Sequence, residues 1–497
     1  VVQQSANVGD LLLRAGRDED LAIIDRDGPH TYATLRRATS ALARSIATWD
    51  LPPGSRVGLF SRNSLFWAAS YLAILRSGHV AVPFATTLTT RDVLAKAEFV
   101  DCDTFFIDPA LRATAAGVAD AVTRVAGPSL LEEPLPSALA PFAAVDADDD
   151  AVLMFTSGTT SAPRAVRVSH RNIRANTDSI LQYLELTPED RIVVVLPFSY
   201  CYGASLLHTH LRAGASLSIC DTFAFPETVI DTIRRDACTG LAGVPSTYQH
   251  LLRASSFRTT PLPSLRLLQQ AGGRLPQPQV DAVAASQPQA RLFVMYGATE
   301  ATSRLSYLPP ELREERRGSV GRGIPGVTLS VVDDDGREVA AGSVGEVFAR
   351  GESITKGYWR DPEGTGTRFV DSGLRTGDLA YADPDGFIHI VDRKADFIKS
   401  WGIRVSSQEI EDAVVAMPGV HAAAAVGRPD EAAGESIVLF YVAADDIEVT
   451  PEQVLAHCRS TLARHLVPHE VHPIPGLPLN PNGKIVKADL KALAADS

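Results

Sequence analysis

At 497 residues the chain is too long for one hydrophobic core, so two or more domains are expected. With 45% hydrophobic and 21% charged residues it has the composition of an ordinary soluble globular protein, and a net charge of -12 argues against sequence-independent binding of nucleic acid, which needs a basic surface. The five cysteines (Cys102, Cys201, Cys220, Cys238, Cys458) lack C-x-x-C spacing. That fits a reducing compartment and argues against a metal cluster; with no signal-peptide pattern at the start, a cytoplasmic location is expected.

In chain order, "YATLRRATSALARSIATW" (32–49) reads as a helix, "RVGLF" (56–60) as a strand, "FWAASYLAILRSG" (66–78) as a helix, and "HVAVPF" (79–84) and "RIVVVLP" (191–197) as strands. Such alternation predicts α/β layers around parallel sheet. The most apolar stretch, residues 65–85, is interrupted by Arg76, Ser77, Gly78 and His79, so it predicts a buried helix, a turn and a buried strand, with no membrane span. After about residue 318 the pattern changes to short strands joined by Asp-Gly turns: "GVTLSVVDDDGREV", "GEVFARG" and "YADPDGFIHIVDR". "DDDG" and "DPDG" lack the remaining spacing of calcium loops and read as hairpin turns. The last hundred or so residues mix helices and strands and hold their own apolar runs.

One loop stands out. "MFTSGTTSAPRAVRVSH" (154–170) follows a buried-strand pattern and gathers Thr156, Ser157, Gly158, Thr159, Thr160 and Ser161 ahead of Pro163 and Arg164. Hydroxyls, open backbone N–H groups and a guanidinium suit a phosphate chain, although a flexible linker has a similar composition. Two other motifs fail their context. "GRGIPG" (321–326) matches G-x-G-x-x-G but contains Pro325 and runs into a strand pattern, so a plain turn is expected. No G-x-x-x-x-G-K-[ST] occurs, which excludes a standard P-loop.

The loop has companions: "MYGATEA" (295–301), "LRTGDLA" (374–380), "VDRKADFIKSWGIRVSSQEIE" (391–411) and "LPLNPNGKIVKADL" (477–490). In this order and at these distances the five stretches resemble the adenylate-forming superfamily, which includes acyl- and aryl-CoA synthetases, firefly luciferase and peptide-synthetase adenylation domains. The resemblance spans essentially the whole chain and is closest in pattern to acyl-CoA synthetases. It implies an α/β fold: a large N-terminal domain (1–392) of layered α/β subdomains with a small β-barrel-like part, then a small mobile α+β C-terminal domain (393–497). It implies a two-step reaction in which a carboxylate attacks the α-phosphate of ATP, giving acyl-AMP and pyrophosphate, and a thiol then displaces AMP. The thiol belongs to coenzyme A or, alternatively, to the phosphopantetheine of an acyl carrier protein; another nucleophile is a further option.

The resemblance also assigns roles. Thr156, Ser157, Gly158, Thr159, Thr160 and Arg164 would grip the β- and γ-phosphates, and Glu300 would bind Mg2+. Tyr296 would lie against the adenine, with Gly272, Gly297 and Ala298 beside the nucleotide. Asp378 would accept hydrogen bonds from the ribose hydroxyls, with Arg393 near ribose and phosphate and Thr299 beside the reacting groups. Lys484 would reach the substrate carboxylate and the α-phosphate. Gly402 would leave room for the pantetheine arm, with Lys399 nearby. Lysine is scarce, seven residues against 40 arginines, so the fall of Lys394, Lys399 and Lys484 inside two of these stretches favours roles for them.

The chain departs from the family pattern at Arg164, where lysine is usual, at Ser161 and Ala165, where glycine is usual, and at the hinge position Ala395. "LPFSYCYGAS" (196–205) matches the stretch that lines the acyl pocket in the family. Amino-acid-activating relatives carry an Asp there to pair with the substrate ammonium; this chain has Cys201 after Tyr200. The other expected walls, Gly243, Met295 and Ser303, are uncharged, and a buried unpaired ammonium costs several kcal/mol. A fatty or aromatic acid without an α-amino group is therefore expected. Arg304 is the one cation nearby; an internal acidic partner is the expected explanation for it, a polar group on the acid the other.

Overall fold

The computed structural model describes residues 6–132, 135, 140–156, 163–220, 225–444, 447–480 and 482–496. Among them, four sheets form. The largest has nine strands, and its six neighbouring strands Arg291–Tyr296, Leu267–Gln270, Gly240–Gly243, Arg191–Val194, Ser216–Ile219 and Leu21–Asp25 are mutually parallel. The second, of six strands, is parallel from Arg124–Ala126 to Asp150–Phe155 and ends on the antiparallel strand Ala165–Ser169. Parallel strands covered on both faces by helices need continuous apolar sequence, and "RIVVVLP" and "HVAVPF" supply it.

The helix Leu65–Arg76 binds the two sheets together. Ser64 caps its start by accepting from the Trp67 amide, and all twelve residues are buried. One core cluster runs from Val57, Leu59 and Val152 of the six-stranded sheet, through Trp67 and Leu72, to Ile192 and Leu217 of the nine-stranded sheet. Arg76, at the helix end, is neutralised inside the protein by Asp10 at 2.7 Å and by the Ala140 carbonyl. The interrupted apolar stretch therefore folds as its sequence predicts: helix, Gly78 turn at φ +74°, buried strand Val80–Pro83. Among the described residues no helix is long and apolar enough to cross a membrane.

After residue 326 the chain forms an antiparallel sheet, with Val327–Val332, Gly345–Gly351, Gly373–Ala382 and Ile388–Arg393 as its main strands. "DDDG" and "DPDG" are turns closed by Asp333 N to Arg337 O and Asp383 N to Phe387 O. "GRGIPG" starts no helix: Arg322–Gly323 is an edge strand.

The C-terminal part has its own sheet, in which Gly434–Ala443 lies between Val420–Asp430 and Glu470–Pro473, and its own core of Ile398, Ile410, Val414, Ile437 and Leu439. It is seated on the large domain by Arg274 Nη1 donating to Gln408 Oε1 at 2.9 Å, by an Arg274–Asp412 ion pair, and by Gln279 Nε2 donating to the His421 carbonyl at 2.9 Å.

Leu72 is fully buried where the two sheets meet. Leu72→Ala should cost about 2–5 kcal/mol, read as a lower urea midpoint in equilibrium unfolding; a midpoint at the parental value would show that this helix does not hold the layers together.

Candidate active site

The large sheet delivers its loops to one edge. Gly243, Gly272 and Tyr296 lie at or just after the C-terminal ends of three adjacent parallel strands, and Tyr200 and Cys201 open the helix that follows a fourth. In α/β sheets this edge is where ligands bind, because the turns there splay apart and present free backbone groups. A cleft opens at it, and its lining includes Gly272, Met295, Tyr296, Asp378, Arg393 and Lys484.

The loop 297–304 is folded back tightly. Leu305 N donates to the Tyr296 carbonyl at 2.8 Å, and a Cβ on Gly297 would stand 1.8 Å from the Ser303 carbonyl oxygen, so only glycine fits there. Ala298 precedes the single helical turn Thr299–Ala301 that carries Glu300. Glu300 Oε1 accepts from the Tyr358 hydroxyl at 2.7 Å. The Arg164 guanidinium lies over the Tyr358 ring at 4.7 Å and approaches Asp361 at 3.3 Å. Thr156 N donates to the Arg164 carbonyl at 3.1 Å, which closes the base of the hydroxyl-rich loop. Ser157, Gly158, Thr159, Thr160 and Ser161 lie outside the described residues.

On the opposite wall Asp378 and Arg393 face each other across adjacent strands. Asp378 accepts from the Tyr296 hydroxyl at 2.6 Å through one oxygen and lies 3.3 Å from Arg393 Nε through the other. Burial, reinforced by this carboxylate, keeps the Tyr296 phenol protonated well above its ordinary range. The Asp378 side chain is only 10% exposed, whereas that of Arg393 is 63% exposed and open to a ligand.

Lys484 reaches the same cleft from the other domain. Its ammonium stands 5.6 Å from the Tyr200 ring centroid. Burial first, and then the nearby Arg393 charge, hold its pKa below the ordinary lysine value. What seats it is the preceding residue: Gly483, at φ +74°, offers its carbonyl to the Ser246 hydroxyl at 3.0 Å, and a Cβ there would meet Ser246 Oγ at 2.5 Å.

Near the cleft lies a second, small cavity, lined by Cys201, Ser205, His208, Thr302 and Ser303 among apolar residues such as Val152 and Met154. Cys201 is buried, with Sγ 3.4 Å from Thr299 Oγ1, and burial raises its pKa, so it is a neutral wall. Among the described residues no group of three or more His, Cys, Asp or Glu side chains is placed to hold a metal.

The structure thus brings together most of the residues singled out in the sequence. Lys399 and Gly402 are exceptions: they sit on the exposed hairpin Ile398–Ser400/Ile403–Val405, and no atom comes within 4 Å of a Cβ built on Gly402. Ala395 is exposed in a turn just after Arg393. One expectation is corrected. Arg304 is buried but has no acidic partner among the described residues; its contacts are the hydroxyls of Ser205 and Ser303, the Met295 sulfur and the Tyr202 ring. Sequence reasoning missed Tyr358 and Ser246, which hold Glu300 and Gly483. They lie 58 and 237 residues from those partners, so no local pattern links them.

A family model described as AMP-binding enzyme matches residues 14–359, and one described as AMP-binding enzyme C-terminal domain matches 409–484. Feruloyl-CoA synthase of an Amycolatopsis species is 30% identical over 476 residues, 93% of each chain. A long-chain-fatty-acid–CoA ligase of Mycobacterium tuberculosis is 29% identical over 93% of this chain and 92% of its own. ATP-bound MatB from Rhodopseudomonas palustris, 28% identical over 99% of both chains, superposes with a TM-score of 0.91; apo MatB gives 0.79.

The Gly483 contact makes a structural prediction. Gly483→Val should unseat the C-terminal domain, giving a larger radius of gyration in small-angle scattering and several-fold faster tryptic cleavage between the domains. Unchanged scattering and cleavage would show that the domains dock without this close approach.

Proposed function

The chain belongs to the AMP-binding enzyme family and is an AMP-forming acid–thiol ligase, and on that premise we propose that its cleft joins a carboxylic acid to AMP and then passes the acyl group to the thiol of coenzyme A. The observation that carries this reading is the convergence of Tyr296, Asp378, Arg393 and Lys484, from both domains, on one cleft near a second, mostly apolar cavity.

In the first step a carboxylate oxygen attacks the α-phosphorus of ATP and the bond to pyrophosphate breaks. Negative charge concentrates where the two anions meet. Lys484 supplies a desolvated positive charge there, where it acts more strongly than it would in water. Asp378 receives the ribose hydroxyls, Tyr296 lies against the adenine with Gly272, Gly297 and Ala298 around it, and Arg393 donates to ribose and phosphate. Thr156, Ser157, Thr159, Thr160 and Arg164 hold the departing phosphates; Arg164 keeps the positive charge of the usual lysine and adds a bidentate fork. Thr299, in contact with Cys201, borders the acid.

Glu300 is the residue we assign to Mg2+. A lone carboxylate, held in place by Tyr358, fits an ion that keeps most of its waters and arrives on phosphate oxygens. Such an ion supplies charge neutralisation at the phosphates.

In the second step the thiol sulfur attacks the acyl carbon and the bond to AMP breaks. Gly402 and Lys399 serve this step after residues 393–497 swing about a hinge beside Ala395, because in the present arrangement both lie away from the cleft. Coenzyme A is the acceptor we favour, as in the names of the relatives, and a carrier-protein arm offers the same thiol. The acid is fatty or aromatic and has no α-amino group: Tyr200, Cys201, Gly243, Met295 and Ser303 present no anion to an ammonium. The unpaired cysteines fit a cytoplasmic setting.

Hydroxylamine trapping of adenylates, with ATP and a panel of acids, tests the reading. Lys484→Ala should lower hydroxamate formation by about 10²–10³-fold, the usual effect of removing one transition-state donor. Thioester formation from supplied acyl-AMP should stay within a few-fold of parental; equal loss in both steps would remove the division of labour.

The depressed Lys484 pKa gives a pH prediction. The charged form is the active one, so kcat/KM for adenylation should fall on the alkaline side at a pH below the ordinary lysine value of 10.5. Lys484→Arg should move that limb upward. A limb that stays in place would assign it to another group.

A further inference from the structure

Arg304 is 1% exposed, and an arginine keeps its charge even when buried. Buried guanidinium groups are normally matched by a carboxylate, because an uncompensated charge in the interior is strongly unfavourable. Elsewhere in this protein the rule holds: Arg76 is 3% exposed and Asp10 lies 2.7 Å away. Arg304 differs. Nη1 donates to Ser303 Oγ at 2.7 Å and Ser205 Oγ at 3.2 Å, Nε faces the Met295 sulfur at 3.4 Å, and the guanidinium carbon lies 3.9 Å from the centre of the Tyr202 ring. Nη2 is buried without a hydrogen-bond partner among the described residues. The backbone is pinned from both sides by Asn176, whose amide nitrogen donates to the Arg304 carbonyl at 3.0 Å and whose oxygen accepts from its N–H at 3.4 Å. The charge is thus built into the interior and left uncompensated among the described residues.

Its location suggests what completes it. Ser205 and Ser303, the hydroxyl partners of Arg304, both line the small second cavity, and Met295 lines the cleft itself. Arg304 therefore sits at the junction of the two. None of the residues lining the second cavity carries a charge: the walls are apolar, hydroxyl or thiol, and burial pushes His208, bonded to Tyr71 at 2.8 Å, down to about 3, so it is neutral.

Resting on the acid activation proposed above, and narrowing its fatty or aromatic acid to a diacid, aliphatic or aromatic, we infer that the acid is compact and carries a second carboxylate, which the Ser205 and Ser303 hydroxyls and the Arg304 guanidinium receive while the first is adenylated. Arg304 is thereby a specificity-determining residue. A hydroxyl or amide on the acid satisfies a hydrogen bond but leaves the buried charge unmatched, so the discrimination is for charge as well as for shape.

The test is ATP–pyrophosphate exchange on the full-length protein with size-matched acids: succinate, glutarate and isophthalate; their half-amides; and butyrate, valerate and benzoate. The wild-type protein should favour at least one diacid over its half-amide and monoacid by about 100-fold or more in kcat/KM, consistent with the large effect of leaving one buried partner unpaired. Arg304→Met, close in length and apolar, should bring that ratio to near one, and Ser303→Ala should raise the diacid KM more than it changes kcat. If Arg304→Met does not fold, as judged by thermal unfolding, the wild-type ranking and Ser303→Ala decide. Exchange that favours monoacids or half-amides, or a diacid preference that survives Arg304→Met, overturns the inference while leaving acid activation standing. No exchange with any acid overturns both.

Discussion

A lysine on the last hundred residues has to reach a cleft in the first four hundred, and one contact brings it there: the Gly483 carbonyl against the Ser246 hydroxyl. The backbone at Gly483 is left-handed and too close to Ser246 for any side chain. The rest of the site depends on this approach. Lys484 faces Tyr200, stands near Arg393 and loses part of its hydration only because its own backbone is pressed against the large domain. Other interdomain contacts, among them Arg274 with Gln408 and Asp412 and Gln279 with His421, are polar. Such contacts can be exchanged for water at little cost.

Around that lysine the charges are arranged in pairs. Asp378 is shared between Tyr296 and Arg393, and Glu300 is held by Tyr358, whose ring also carries Arg164. Both carboxylates are oriented before any ligand enters, so little reorganisation remains for the reacting complex. Against this pattern of matched groups the guanidinium of Arg304 stands without an acidic partner among the described residues.

The short motifs were legible in the sequence because each is local. The Thr-Glu turn follows a strand by a few residues, and Thr-Gly-Asp and Asp-Arg lie on neighbouring strands of one hairpin, so chain order alone sets Asp378 opposite Arg393. Tyr358 and Ser246 carried no such signal. A tyrosine in "GYWRD" and a serine at a helix start look like ordinary surface and capping residues until folding places them against Glu300 and Gly483.

The sequence by itself determined the alternating α/β layers, the interrupted apolar helix and strand, the Asp-Gly hairpins and the family, because those follow from periodicity, turn chemistry and the order of short segments. The tertiary structure alone decided which side chains share the cleft, that Lys484 is seated in it while Lys399 and Gly402 are not, and that Arg304 has no acidic partner among the described residues. The physical reason is that electrostatic pairing and desolvation depend on distances across the folded chain, and an arginine reads the same in a sequence whether a carboxylate lies beside it or a cavity does.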